Sequence, residues 1–390
     1  MVTRIAVASS SRAEFGLLSN LCKQLNEDPS FDLYLLVIGS HLDPSMGNTI
    51  DEINNYKLPI SLRVPWPLSR RNSTVDAING ASETLNRVGL YLSTNKPDLV
   101  IILGDRYEIL SVAHAALMVN CPVAHIQGGE LTLATIDESV RHALTKISRF
   151  HFVAGESFAK RVQQMGESKD RVFNVGSLGV DNLLSCPIMS FEQLNNTLHG
   201  CLKHPFAVGT FHPVTLVPDQ TIPAARAMLE SVLEHNIHLL LTGVNLDPGR
   251  EILADVFNDY ATRFSKQITY VESLGHVRYI SAMNHCCFLI GNSSSGLIEA
   301  PAIPIPTINI GDRQRGRPSS PSVIDCAPEK DEIESAIKRI LSSNFTDTLK
   351  SSDAAYGGKG AKDKIVDILK KISEDELRSP KQFEDYLICK

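Results

Sequence analysis

The sequence predicts an α/β protein built from two doubly wound parallel-sheet domains in tandem, and three observations lead there. At 390 residues the chain exceeds what one hydrophobic core usually serves. Its apolar segments are short, rich in Val, Ile and Leu, and do not alternate with polar residues, the pattern of parallel strands buried on both faces. Helix-length amphipathic stretches separate these segments, and the whole pattern occurs twice.

In the first half the expected strands are RIAVASS (4–10), DLYLLVIGS (32–40), DLVIILGD (98–105), PVAHIQGG (122–129), FHFVAG (150–155) and VFNVGS (172–177). In the second half they are FAVGTFHP (206–213), HLLLTGV (238–244), ITYVES (268–273), CCFLIGNSS (286–294), IPTINIG (305–311) and SVIDCA (322–327). The domains are expected at 1–185 and 186–365, with the junction in the Ser/Cys/Pro-containing stretch near 180–200. A C-terminal helix within 366–390 is expected to cross back to the first domain, after a glycine-rich YGGKGAK loop. Ligands of such sheets bind beyond the carboxyl ends of the strands, so polar residues just past strands are the places to look, and two facing domains make one cleft.

Composition narrows the partners. The net charge is −6 and the pI near 6.1, which leaves no electrostatic footprint for nucleic acid. A charged fraction of 21% and a mean hydropathy of −0.04 fit a soluble globular protein, and no apolar run approaches a membrane span. The apolar run after Arg4 is too short for a signal peptide and ends in Ser-Ser-Ser-Arg, so a cytoplasmic location is expected. The eight cysteines form no Cys-x-x-Cys pair and meet no His at zinc spacing; they are expected reduced and mostly buried, with no metal site. Partners are therefore expected to be small molecules or further copies of the chain.

Several strand ends carry chemistry. LGDRYE places Asp105, Arg106 and Glu108 after one strand, HIQGGE places His125, Gln127 and Glu130 after the next, and TIDESVRH follows with Asp137, Glu138, Arg141 and His142. Taken singly, Asp105 and Asp137 are better read as helix caps and Arg141 as a surface partner. Acids at adjacent strand ends favour a carboxylate cluster able to move protons. In the second half, Asn292, Ser293, Ser294 and Ser295 stand between a strand and a helix containing Glu299, where backbone N–H groups and the helix dipole favour an anion; a plain serine cap is the alternative. GDRQRGRP adds Arg313, Arg315 and Arg317, of which at least one is expected to be merely solvated. His212 and Asn245 follow the first two strands of this half, and Ser11, Arg12, Glu14 and His41 follow those of the first. Together these ends describe a nucleotide-diphosphate pocket opposite an acid cluster.

The motifs SRAEFG, GSHLDPSMGNT, LGDRYE, HIQGGE, DESVRHALTK, TFHPVT, GNSSSGLIEAP and TINIGDRQRGR, in this order, resemble the hydrolysing UDP-N-acetylglucosamine 2-epimerases of sialic-acid synthesis and their bacterial relatives acting on UDP-N,N′-diacetylbacillosamine. The resemblance spans about residues 4 to 375. It implies the GT-B architecture of two Rossmann-like domains, the nucleotide held mainly by the second. UDP contacts carry over to Arg12, Arg106, His212, Asn245, Ser293, Ser294, Glu299 and Arg313, and sugar contacts to His41, Arg141 and Gly176. It implies no cofactor and an assembly into homodimers or homotetramers. The implied chemistry is elimination of UDP from C1 as a base removes the C2 proton, giving a 2-acetamidoglucal; water then adds at C1 and C2 is reprotonated on the opposite face. Many relatives have a glutamate where this chain has Gln127, and an amide cannot take a proton at neutral pH. Proton transfer is therefore expected to fall to Asp105, Glu130 and Asp137, with His125 as a shuttle. The His-Val-Glu-Ala-Gly stretch of non-hydrolysing epimerases is absent, and a GT-B glycosyltransferase or a non-catalytic nucleotide-sugar sensor are the remaining rivals.

Overall fold

The computed structural model describes residues 2–44, 49–66, 74–132, 136–214, 217–244, 249–303, 305–342, 345 and 355–385. The chain divides into two compact units. The first comprises Met1–Glu130, Asp137–Asn182 and Tyr356–Lys390; the second comprises Leu131–Ile136 and Leu183–Ala355.

Unit 1 holds strands β1 (Thr3–Ser9), β2 (Phe31–Ile38), β3 (Ile60–Val64), β4 (Leu99–Leu103), β5 (Val123–Ile126), β6 (Phe150–Val153) and β7 (Val172–Asn174), all parallel, in the order β3-β2-β1-β4-β5-β6-β7. The order reverses between β1 and β4, which makes the ends of those two strands the switch point where this class of sheet binds ligands. Six of the strands match the apolar runs. β3 was missed: it is an edge strand, ISLRV, in which only Val64 is fully buried, so it lacks the continuous apolar signal of the interior strands.

Helices α1 (Arg12–Glu27), α2 (Thr49–Asn55), α3 (Thr74–Asn95), α4 (Tyr107–Met118), α5 (Asp137–Ile147), α6 (Glu156–Gln164) and α7 (Leu178–Ser185) connect or follow these strands. α1 shows the local logic. Ser11 and Glu14 form a reciprocal capping box at its start, and Phe15, Leu18, Cys22 and Leu25 recur at helical spacing to bury one stripe against the sheet.

Unit 2 holds β8 (Phe206–Thr210), β9 (His238–Thr242), β10 (Ile268–Val271), β11 (Leu289–Gly291), β12 (Thr307–Ile310) and β13 (Val323–Cys326), again parallel, in the order β10-β9-β8-β11-β12-β13. Its switch point lies between β8 and β11. Its helices are α8 (Phe191–Thr197), α9 (Thr221–Glu234), α10 (Arg250–Arg263), α11 (Gly275–His285), α12 (Ser295–Ile298) and α13 (Lys330–Ile340).

The C-terminal segment, with α14 (Ala361–Lys371) and α15 (Glu374–Arg378), packs in unit 1, where Ala361, Ile365, Val366 and Leu369 join the core formed by β1, β2 and α1. The buried Asp181 carboxylate accepts from Gly360 N (2.8 Å) and Lys362 N (3.0 Å) and so caps α14 from α7. Among the described cysteines all are free, but only Cys22 is fully buried; Cys201 is exposed and the others are intermediate. Among the described residues no helix is long and apolar enough to cross a membrane, and no group of three or more His, Cys, Asp or Glu is placed to hold a metal.

Candidate active site

At the unit 1 switch point, the turn after β1 folds back on Glu14. One carboxylate oxygen of Glu14 accepts from Ser10 N (2.6 Å), Ser10 Oγ (2.8 Å) and Ser11 N (3.2 Å), while the other has no hydrogen-bond partner. Burial raises this carboxyl to about 7, against the attraction of Arg106 and with the repulsion of Glu108. Arg106, past β4, grips the buried Glu108 carboxylate through Nε (3.2 and 3.3 Å) and Nη2 (2.8 Å). The arginine expected on the nucleotide thus has two of its nitrogens engaged with a neighbouring acid.

The neighbouring strand ends are joined by one cation. Arg141, with a side chain only 2% exposed, makes a short ion pair with Asp105, donates to the Glu130 carbonyl (3.1 Å) and approaches Glu138 at 3.6 Å. Asp105 is therefore not the cap of α4, whose N-cap is Arg106 with no side-chain cap bond. Asp137 opens α5, as the sequence suggests, and His142 meets Glu138 one turn on (3.0 Å). The Glu130 side chain is buried. Gln127 has φ +67°, a left-handed conformation uncommon outside glycine, with its backbone N–H held by Phe152 O (2.9 Å).

The two histidines expected in chemical roles are sealed. His125 is fully buried; Nε2 donates to Gly104 O (2.7 Å), Nδ1 faces Thr145 Oγ1 (3.3 Å), and burial pushes its pKa down to about 3. With both ring nitrogens engaged, the imidazole ties the turn after β4 to α5. His41 is likewise buried between Ser9 Oγ (2.9 Å) and Thr49 Oγ1 (3.1 Å), and burial lowers its pKa to about 3. Both ring nitrogens are already engaged, so no direct sugar contact is assigned to it. Gly176, at φ +91°, stands where the chain returns: Ser177 N donates to Tyr356 O (2.9 Å), and a side chain on Gly357 would fall 3.2 Å from the Gly176 Cα. The close approach requires the missing side chain of Gly357, while Gly176 is held to glycine by its left-handed backbone. Arg12 begins α1 and is half-buried.

In unit 2 the organising residue is Asn292, which sequence reasoning noted only as part of a motif. Fully buried at the end of β11, it accepts from His212 N (2.7 Å) and donates to His212 O (2.8 Å), pinning the turn after β8. Its own carbonyl accepts from Arg313 Nη1 (3.2 Å) and Gln314 Nε2 (2.8 Å). The strand ends carrying His212, Ser293 and Arg313 are thereby tied at one residue, through its side-chain amide and its backbone carbonyl. Gly291 is obligatory here: at φ +137° a Cβ would stand 1.9 Å from Thr210 O. Ser293 Oγ accepts from Ser295 N (3.4 Å), and Ser295 Oγ accepts from Tyr279 OH (2.9 Å). A cavity lined by Thr210, Tyr279, Ser293 and Thr307 lies beneath this turn.

The helix expected to carry Glu299 is only one turn, α12, and gives way to a 3₁₀ turn at Ala300–Ala302 because Pro301 cannot donate to the ladder. A four-residue helix has little macrodipole, so what this turn offers an anion is its local N–H and hydroxyl donors. Of the three arginines, Arg313 is buried, Arg315 is 70% exposed beside Asp312, and Arg317 turns to Leu131 O (3.3 Å) and Thr132 Oγ1 (3.5 Å) within the unit. The expectation that one would be solvated is met by Arg315. Asn245 lies outside the described residues.

The sequence profile of the UDP-N-acetylglucosamine 2-epimerase family matches residues 23–370. The chain is 37% identical to the polysialic acid biosynthesis protein P7 of Escherichia coli, over 99% of this chain and 98% of that protein. It is 35% identical to the GDP/UDP-N,N′-diacetylbacillosamine 2-epimerase (hydrolyzing) of Campylobacter jejuni, over 88% of each. In fold it is similar to the UDP-GlcNAc 2-epimerase of Neisseria meningitidis bound to UDP-GlcNAc, with a TM-score of 0.78 at 16% identity, covering 95% of this chain and all of that one. Two Rossmann-like units of the GT-B kind, the matched profile and these relatives agree: the chain belongs to the UDP-N-acetylglucosamine 2-epimerase family and is a hydrolysing UDP-sugar 2-epimerase.

Proposed function

We propose that the protein converts UDP-N-acetylglucosamine to UDP and N-acetylmannosamine, for nonulosonic-acid synthesis in the cytoplasm. The observation that carries the reading is the cluster of Asp105, Arg141 and Glu130 at adjacent strand ends. Asp105, 22% exposed and held by Arg141, is assigned as the base that removes the C2 proton. The electron pair of that C–H bond forms the C1–C2 double bond as the C1–O bond breaks and UDP leaves with its electrons. Water then adds its oxygen to C1 while an acid returns a proton to C2 on the opposite face. Glu130 is assigned that proton, and Asp137 the activation of the water. Gln127, unable to ionise, is assigned the orientation of the sugar, and Arg141 the hold on Asp105. His125 supports the turn before Asp105, and His41 the turn after β2.

The departing diphosphate is assigned to Ser293, Ser294, His212 and Arg313, with Arg12 and Arg106 as further cations, and the ribose hydroxyls to Glu299. Asn245 keeps its place among the proposed nucleotide contacts. The same reaction on UDP-N,N′-diacetylbacillosamine is the second reading, favoured by the 35% identity to the Campylobacter jejuni enzyme and 30% identity to a Legionella pneumophila enzyme of that name. Both UDP-sugars offered in deuterated water, with the products followed by NMR, decide between them. The proposal expects free manno-configured sugar carrying deuterium at C2 and stoichiometric UDP. Release of neither from either substrate would sink it.

A further inference from the structure

The last described residues of the chain dock on unit 1 through one lysine. Lys381 Nζ lies 2.6 Å from Lys146 O, 2.6 Å from Ser148 O and 2.8 Å from Glu167 Oε2. An ammonium has three protons, and each is matched here by a close acceptor. Two of those acceptors are the carbonyls at the C-terminal end of α5, where a cation is favoured and the helix has no partners of its own. The contact is braced on both sides. Arg171 holds Glu376 O (3.1 Å) and Ser379 Oγ (3.0 Å), while Glu384 N donates to Gly166 O (3.0 Å) and the Phe383 ring lies 4.7 Å under the Lys146 ammonium.

The other end of the same short helix reaches the candidate acid–base cluster. Arg141 pairs with Asp105 and with the Glu130 carbonyl. One turn on, Thr145 meets His125, whose Nε2 holds the carbonyl of Gly104, the residue before Asp105. An eleven-residue helix is a stiff rod, so what seats its last turn also seats its first. Resting on the reading in which Asp105 is the base, we propose that Lys381 is a positioning residue of the reaction: it anchors the end of α5 and thereby holds Arg141, Asp105 and the Gly104 turn in register. The strap lies C-terminal to residue 370, where the matched family profile ends.

Lys381→Met keeps the alkyl stem and removes the charge; a second variant ends the chain after Ser379. In both, kcat is expected to fall about tenfold or more while KM changes less than about twofold, since a small misplacement of a catalytic group is costly and most of the assigned nucleotide contacts, Arg12 and Arg106 apart, belong to unit 2. Amide hydrogen exchange read without substrate is expected to quicken about tenfold at 138–147 and at 104–106, with the strands of unit 2 unchanged. The inference is overturned if faster exchange stops at 145–149 and leaves 104–106 protected, or if kcat stays within twofold in both variants. Should the wild-type protein release no UDP from either sugar nucleotide, the proposed function fails, and exchange at 104–106 alone judges the positioning.

Discussion

Arg141 is the residue on which the acid–base cluster depends, because one buried guanidinium meets the Asp105 carboxylate and the Glu130 carbonyl from two strand ends, with Glu138 of its own helix beside them. Replacing Asp105→Asn is expected to lower kcat about a hundredfold to ten-thousandfold, the usual worth of a positioned base. It also takes from the buried Arg141 the nearer of its carboxylate partners, leaving Glu138 at 3.6 Å, so the melting temperature is measured beside the rate to separate chemistry from folding. Glu14 supplies a pH prediction. Its carboxyl rises from about 4.5 to about 7 on folding because burial disfavours the charge. Between those values the folded state binds the proton that the unfolded state has lost, so this group's contribution to stability is full below 4.5 and is lost as pH rises through 7. Glu14→Gln preserves the capping box and removes that titration. Its melting temperature relative to wild type is expected to climb between pH 5 and pH 8, and a difference that stays flat across that range would refute the assignment. At this scale the sequence exposed residue types and missed burial. Asp105 was legible as an acid past a strand, but its partner lies 36 positions away. His125 and His41 read as chemistry, and only packing made them neutral ties.

Strand ends and their turns carry the second level. The β11 turn combines Gly291, where no side chain fits, with Asn292, whose side chain and carbonyl fasten two other turns. Gly291→Ala is expected to cost about 1–3 kcal/mol or more, as overpacking a filled site does, and to weaken UDP binding. Thermal denaturation and UDP titration by calorimetry check both effects; a variant as stable as wild type would mean that the turn relaxes. The interior strands were legible because burial on both faces forces continuous Val, Ile and Leu, as in LVIIL of β4. Edge strand β3 was not, since solvent on one side permits polar residues. The broken helix after Ser295 needed Pro301 to be weighed against an otherwise helical pattern.

For the molecule as a whole, the first core is completed by chain from the far end of the sequence. Removing 356–390 withdraws Ile365, Val366 and Leu369 from it, a loss on the order of 5 kcal/mol at about 1.5–3 kcal/mol per buried side chain. Unit 1 is then expected to unfold first in differential scanning calorimetry, with the unit 2 transition in place; a single unshifted transition would contradict this. The sequence by itself determined the class of sheet, the duplication and the family, because buried parallel strands and phosphate- and proton-handling turns leave local composition signals. Tertiary structure alone decided which cation serves Asp105, which histidines are sealed, and that the C-terminal strap reaches α5. Those pairings join residues tens to hundreds of positions apart, and nothing in a local stretch of chain records the distance, burial or geometry that creates them.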